Sequence, residues 1–454
     1  MKLKKKSVLV VGFARSGLTA ANFLLKRGAR VTITDLHNKN TLKEHISQLV
    51  GPVQLSLGGH RLEDFLNTDL IVLSPGVSLS RPELQAASQH NIAILSEVEL
   101  AYRFVNGTVI GVTGSNGKTT TTSLIGELLK NSGKQSMVAG NIGFPLIQWA
   151  ETQYGSGAPP TTVVVELSSF QLETIEKFRC HIAALLNLTP DHQDRYQKFE
   201  DYIRAKERIF LNQTSGDHAI LNADNPHTLE IAERCKSSVL LFSRKRSLEK
   251  GVFVQKGIIR IRSKGKNHDL MPIQNIRLIG NHNLENVLAA TAVGLVAGLT
   301  PKTMAKTFEN FRGVEHRLEL IAELNSVSFY NDSKATNIDS ASRALQALTV
   351  PLVVIMGGLD KGADFGKLRP FMADKVKLLI LIGSATNKIH KALSGTVKTI
   401  AVSDMIEAVQ QAHQATVPGD AVLLSPGCAS FDMFKNFEHR GRIFKQAVQA
   451  LENS

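Results

Sequence analysis

The sequence predicts an α/β protein of three consecutive segments, each built on a mostly parallel sheet. Three observations predict it. The chain has 454 residues, more than one hydrophobic core holds. Short apolar runs that end in glycine turns recur along it, and helical stretches alternate with those runs. Such alternation places helices on both faces of a parallel sheet. At roughly 150 residues per domain, the length suits two to four domains.

The first segment opens with residues 8–11, an apolar strand running into Gly12. A helix near 19–26 and a strand at 31–34 follow. Residues 70–73 form another strand, ending at Ser74-Pro75-Gly76, and 92–95 one more. The second segment begins with a strand at 109–112, with further strands at 163–165, 182–186 and 219–221. The third has strands near 327–330, 352–356, 378–382 and 421–424. Boundaries near residues 97 and 313 give segments 1–97, 98–313 and 314–454. No short-period repeat or low-complexity tract occurs, and residues 155–160 read as a surface loop.

Composition narrows the function. Hydrophobic residues make up 43% and charged residues 20%, which excludes a disordered or collagen-like chain. The lysines of residues 2–6 and the apolar run after them imitate a signal peptide, but the run is short and Arg15 interrupts it. No run approaches the roughly 20 apolar residues a membrane span needs. Cys180, Cys235 and Cys428 form no CxxC pair, which fits a reduced cytoplasm and no zinc site. The formal net charge is +13, a preference for anions. The cations are spread out, with no basic helix interleaved with aromatics. Small molecules rich in phosphate and carboxylate therefore fit better than nucleic acid.

The strongest chemical signal is Gly114-Ser115-Asn116-Gly117-Lys118-Thr119, after a strand and before a helix starting near Thr119. Backbone N–H groups in such a loop converge on phosphate oxygens. The lysine neutralises phosphate charge, and the threonine hydroxyl holds Mg²⁺. The strict motif puts glycine at 112, where this chain has Val112, with Gly111 one residue off. An ordinary glycine turn is the bland alternative. Glu166, at the end of the 163–165 strand, is placed for Mg²⁺; otherwise it merely starts a helix. Asn187-Leu188-Thr189-Pro190-Asp191-His192 also follows a strand, so His192 points to the crevice that receives Lys118 and Glu166. Lys206, by itself, reads as a solvated helix lysine. At the amino end, Gly12-Phe13-Ala14-Arg15-Ser16-Gly17 with Asp35 after the second strand reads as a site for NAD or another nucleotide diphosphate. Ala14 stands where a dinucleotide fingerprint has its middle glycine.

Together these residues resemble the Mur ligase family through nearly the whole chain. The resemblance rests on Ser74-Pro75-Gly76, the Thr113 to Thr119 loop, Gly140-Asn141-Ile142-Gly143, the run from Glu166 to Glu173, and Asp191-His192. It continues through His282-Asn283 to Asn286, His316-Arg317, the run from Asn331 to Asn337, the run from Gly357 to Lys361, and the run from Ser425 to Phe437. Asp360-Lys361-Gly362-Ala363-Asp364 and Cys428-Ala429-Ser430-Phe431-Asp432 resemble the D-glutamate-adding branch. The Asp-Asn-Pro-Arg tetrapeptide of the diaminopimelate- or lysine-adding branch is absent.

The resemblance implies three domains: a Rossmann-like domain for UDP, a central P-loop ATPase domain, and a Rossmann-like domain for the amino acid. It implies an ATP-dependent ligase adding D-glutamate to UDP-N-acetylmuramoyl-L-alanine in peptidoglycan precursor synthesis. Gly114, Ser115, Asn116, Gly117, Lys118, Thr119, Thr120, Asn283, Asn286, Arg317 and Asp332 would bind ATP. Arg15, Ser16, Asp35, Gly76, Asn141, Ser168 and His192 would bind the UDP-linked acceptor. Lys334, Thr336, Lys361, Ser430, Phe431 and Phe437 would form the glutamate pocket. Thr119, Glu166, His192 and a carbamylated Lys206 would hold two Mg²⁺, or Mn²⁺. Lys118, Glu166, His192, Lys206 and Lys334 would be catalytic. A cytoplasmic monomer without a nucleic-acid partner is expected. The rival readings are another Mur-type or folylpolyglutamate-type amide ligase, an NAD-dependent dehydrogenase and a P-loop nucleic-acid ATPase. Asp35 and its domain weigh against the folylpolyglutamate type, and the Gly-Lys-Thr loop against the dehydrogenase.

Overall fold

The computed structural model describes residues 1–141, 144–153, 161–192, 195–263, 265–360 and 362–452. The loop read at 155–160, Lys361, and Ile142 with Gly143 lie outside the described residues. The chain forms two compact units. One comprises Met1–Asn275 and Glu285–Glu309, the other Ile276–Leu284 and Asn310–Ser454.

The first unit contains two sheets. The smaller consists of β1 (Ser7–Val11), β2 (Arg30–Asp35), β3 (Gln54–Leu57), β4 (Leu70–Leu73) and β5 (Ala93–Ser96). They lie parallel in the order β3-β2-β1-β4-β5. Val8 and Val10 enter one core cluster and Leu9 and Val11 the other. Burial on both faces explains why this strand is an unbroken apolar run rather than an alternating one. The chain leaves β1 on one side and returns on the other at β4. That topological switch opens a crevice beyond the carboxyl ends of β1 and β4, where Gly12 and Ser74 lie.

The larger sheet has β6 (Gly107–Thr113), β7 (Ser136–Gly140), β8 (Thr161–Glu166), β9 (Ile182–Leu185), β10 (His218–Asn222), β11 (Ser238–Ser243), β12 (Gly251–Gln255), β13 (Ile258–Ser263) and β14 (Lys266–Pro272). Their order is β14-β13-β12-β11-β10-β9-β6-β8-β7. The pairs from β7 to β12 are parallel, and β13 and β14 add antiparallel. β6 therefore sits between β8 and β9, and the loops after these three strands meet at one edge.

The second unit is built on β15 (Glu319–Leu324), β16 (Val327–Asn331), β17 (Leu352–Gly357), β18 (Val376–Ile382), β19 (Thr399–Ala401) and β20 (Ala421–Leu424), in the order β15-β16-β20-β17-β18-β19. Only β15 is antiparallel to its neighbour.

Several elements differ from the sequence expectation. The first helix begins at Arg15, four residues before the expected start, and β8 extends to include Glu166. Unexpected strands are β3, β7, β11 to β15 and β19. β3 is short and half-polar, and β14 has mostly exposed residues, so neither carries a long apolar run.

Two buried acids on the short helix Glu97–Tyr102 join the two sheets of the first unit. Glu99, fully buried, accepts from the N–H groups of Glu176 (2.9 Å), Lys177 (3.1 Å) and Phe178 (2.8 Å), and from Arg103 Nε (2.9 Å). Glu97 accepts from Ile147 N–H at 2.6 Å. Among the described residues no cation pairs with Glu97, and burial, opposed by that N–H, raises its pKa to about 7. The raised value means that its stabilising contribution is complete below the unfolded pKa near 4.5 and is lost as pH rises through about 7. Glu97→Gln keeps the acceptor oxygen without the charge. Its thermal midpoint should lie near that of wild type at about pH 4 and exceed it at about pH 8, by roughly 1–3 kcal/mol of stability. A constant difference at both pH values would contradict this.

Candidate active site

The phosphate loop follows β6. Gly117 is the N-cap of helix Lys118–Asn131, with φ of 82° and no side-chain cap hydrogen bond, so the positive end of the helix lies at the loop and favours an anion. A Cβ on Gly117 would lie 2.2 Å from Asn286 Oδ1, so glycine is required there, and buried Asn286 packs directly on the loop. Lys118 Nζ donates to the carbonyls of Gly114 (2.9 Å) and Ser115 (3.0 Å). Gly111, the apparent out-of-register glycine, has another purpose: a Cβ there would lie 2.4 Å from Cys180 Sγ.

The loop is anchored from the segment after β9. Ser115 N–H donates to Asn187 O (2.9 Å) and Asn116 N–H to Asn187 Oδ1 (2.9 Å). Ser115 Oγ donates to Thr189 O (2.9 Å) and accepts from Tyr202 Oη (3.1 Å). The first N–H groups of the loop are thus spent on its own scaffold.

Glu166 ends β8 and is 2% exposed. Its Oε1 accepts from Asn141 Nδ2 at 2.9 Å, while its Oε2 is buried with no hydrogen-bond partner among the described residues. An unpaired buried carboxylate oxygen is costly, and a cation would relieve it. Glu166 does not start a helix: the next one, Ser169–Leu172, is capped by Ser168, whose Oγ accepts from Gln171 N–H at 3.2 Å. Thr119 is also buried at this edge.

Lys206 corrects the sequence reading. It is 1% exposed, not a solvated surface lysine, because helix Phe199–Glu207 turns Tyr202, Ala205 and Lys206 inward. Its Nζ lies 3.4 Å from Thr113 Oγ1 and 4.8 Å from the Tyr202 ring centre. Burial, and then the like charge of Lys118, hold its pKa well below the ordinary lysine value. Asp191 and Glu166 oppose this. His192 has φ of 53°, and its half-exposed ring meets the Phe170 ring edge-on at 4.8 Å.

At the smaller sheet, a Cβ on Gly17 would lie 2.0 Å from Gly12 O, so the glycine lets the helix Arg15–Lys26 close onto the turn. Arg15 and Ser16 lie in its first turn, which no side chain caps. Asp35 Oδ2 accepts from Phe13 N–H (2.6 Å), and Oδ1 accepts from His37 N–H (2.8 Å) and contacts its ring Nδ1 (2.8 Å). Its first task is to hold the glycine turn. Gly76 is exposed in the loop after β4, with open space around it.

In the second unit, Asp332 is buried at the end of β16 and accepts from Leu318 N–H (3.1 Å) and Ser425 Oγ (3.2 Å). Burial raises its pKa to about 7, with those bonds and the charges of Arg317 and Arg440 opposing. Lys334 Nζ lies 5.2 Å from the Phe437 ring centre. Thr336 is half-buried, Ser430 buried and Phe431 65% exposed. Asn283 Nδ2 donates to Ile279 O at 2.8 Å. Lys361 lies outside the described residues. Fully buried Arg440 donates to Ser333 O (2.7 Å), Ser333 Oγ (3.0 Å) and Cys428 O (3.2 Å), clamping the loops after β16 and β20.

Residues 6–96 match the Mur ligase MurD-like N-terminal domain, 112–294 the Mur ligase middle domain, and 316–428 the Mur ligase glutamate ligase domain. The chain is 46% identical to a UDP-N-acetylmuramoylalanine--D-glutamate ligase of Koribacter versatilis, over 99% of both chains. It is 47% identical to an enzyme of the same name from Acidobacterium capsulatum, over 99% of this chain and 97% of that one. The chain belongs to the Mur ligase family. Among solved structures it resembles the UDP-N-acetylmuramate-alanine ligase MurC of Thermotoga maritima, with a TM-score of 0.60 at 17% identity over 98% of this chain and 100% of that one. It also resembles MurF of Acinetobacter baumannii, with a TM-score of 0.58 at 17% identity over 95% and 87%. At that identity the likeness speaks to the fold.

The structure of this Mur ligase brings Lys118, Glu166, Asn141, Lys206 and Asn286 to one edge of the larger sheet. Tyr202, Arg195 and Arg440 did not stand out in the sequence. The only local sign of Arg440 is its place three residues after Phe437. No helix among the described residues is long and apolar enough to cross a membrane.

Proposed function

We propose that this Mur ligase joins D-glutamate to UDP-N-acetylmuramoyl-L-alanine, through an acyl phosphate, with release of ADP and phosphate. The observation that carries the chemistry is the phosphate loop beside a buried carboxylate oxygen, Glu166 Oε2, with no partner among the described residues. The choice of substrates rests on the names of the relatives.

A carboxylate is a poor electrophile, and ATP overcomes this by phosphorylating it. The alanyl carboxylate attacks the γ-phosphoryl group in line. The amine of D-glutamate then attacks the acyl carbon and expels phosphate. The protein's part is to position anions and screen their charge. Lys118 and the helix start after Gly117 hold the phosphates. Thr119, Glu166, His192 and a carbamate on Lys206 are oxygen- and nitrogen-bearing groups suited to two Mg²⁺, with Mn²⁺ able to substitute. Bound Mg²⁺ supplies neutralisation of the phosphate charge.

The domain roles follow. Residues 1–97 take UDP at Arg15, Ser16, Asp35 and Gly76. Residues 98–313 take ATP and present Asn141, Ser168 and His192 to the acceptor. Residues 314–454 take D-glutamate at Lys334, Thr336, Lys361, Ser430, Phe431 and Phe437. Asn283, Asn286, Arg317 and Asp332 serve adenosine and its phosphates. The enzyme works as a cytoplasmic monomer. Phosphate release from ATP and Mg²⁺ should require both the UDP-linked acceptor and D-glutamate. Equal rates with L-glutamate or lysine, or release without the acceptor, would refute the assignment.

A further inference from the structure

Arg195 occupies the space between the UDP-side loop of the smaller sheet and the His192 edge of the larger one. Its Nη2 donates to Glu173 Oε2 at 2.6 Å, and Tyr196 Oη donates to the other oxygen of that carboxylate at 2.5 Å. Its Nη1 reaches Pro75 O at 3.4 Å, in the loop that carries Gly76. Its guanidinium carbon lies 4.0 Å from the centre of the Phe170 ring, whose edge meets His192. Its own N–H donates to His192 O at 3.0 Å. The side chain is 12% exposed, so these contacts are shielded from water.

We infer that Arg195 is a positioning residue that fixes the distance between the UDP-binding loop and His192, so that one rigid acceptor spans both. The inference rests on the proposed acceptor. His192 holds a left-handed backbone, which a non-glycine residue keeps only when its surroundings impose it. The Arg195 side chain braces it through the Phe170 ring, which its guanidinium covers and whose edge meets the imidazole, beside the backbone N–H groups of residues 195 and 196 that both donate to His192 O at 3.0 Å. The Pro75 contact transmits the same constraint to the smaller sheet. A flat, forked cation is required. It stacks on Phe170 while donating sideways to Glu173 and Pro75, which a lysine ammonium cannot do at once.

The test compares full-length wild type, Arg195→Ala and Arg195→Lys. Calorimetry without ATP measures binding of UDP and of UDP-N-acetylmuramoyl-L-alanine, and steady-state assays give kcat and KM. A positioning role predicts UDP affinity within about 3-fold of wild type in both variants. Affinity for the whole acceptor should fall by roughly 10-fold or more, the scale of a lost charged hydrogen bond. The kcat at saturating acceptor should fall too, because His192 is displaced, and Arg195→Lys should not restore it. Loss of UDP and acceptor affinity by one common factor would overturn the inference, since Arg195 would then serve the UDP loop alone. Unchanged acceptor affinity and kcat in a folded Arg195→Ala would also overturn it. If the alanine variant does not fold, the lysine variant decides by the same criteria. A wild-type enzyme that releases no phosphate with this acceptor and D-glutamate would instead refute the proposed function, so the two failures are distinguishable.

Discussion

Lys118→Ala lowers turnover by at least roughly 100-fold, the typical worth of an electrostatic partner placed where charge develops. The fold should survive. Lys118 Nζ bonds two carbonyls of its own loop, and the loop is held independently by Asn187, Thr189 and Tyr202. The γ-phosphoryl group spreads negative charge over its oxygens as it transfers, and Lys118 is the cation at the uncapped helix start that meets it. If the loop were only a glycine turn, removing the lysine would change stability slightly and turnover hardly at all. Turnover and circular dichroism measured on one preparation separate the two outcomes. Near wild-type turnover in a folded variant would refute the phosphate-loop assignment.

Lys206→Ala should abolish turnover to a similar degree, and a short carboxylate such as acetate should restore part of it. Lys206 is buried with one hydroxyl contact, at 3.4 Å, and burial and Lys118 disfavour its charged form. A neutral amine is a nucleophile. It adds to CO₂, forming an N–C bond and releasing one proton, and the neutral amine becomes an anion with two oxygens. Those oxygens suit Mg²⁺, and the new anion would also relieve the like charge of Lys118. ¹³C NMR of enzyme equilibrated with labelled CO₂ and Mg²⁺ should show a carbamate signal that Lys206→Ala lacks. A fully active variant and no such signal would leave Lys206 a buried structural lysine.

The apolar β-strands were legible because burial on both faces leaves an unbroken run. Residues 8–11, 70–73 and 421–424 show this. β13 escaped because only alternate residues are buried and the apolar signal is halved, and β14 because it is mostly exposed. In the site, Lys118 and Glu166 were legible because loop and strand end carry their function locally. The burial of Lys206 was not, because Glu200, Asp201, Arg204 and Glu207 make its helix look solvated. Tyr202, Arg195 and Arg440 act through partners 12 to 120 residues away in sequence, which only the folded chain reveals.

The central claim is that ATP activates the acceptor's own carboxylate. It is tested most directly with UDP-N-acetylmuramoyl-L-alanine carrying ¹⁸O in the alanyl carboxylate, incubated with enzyme, ATP, Mg²⁺ and D-glutamate. Formation and breakdown of an acyl phosphate moves one labelled oxygen into the released phosphate, and mass spectrometry should find it there. Unlabelled phosphate accompanying product formation would contradict the account.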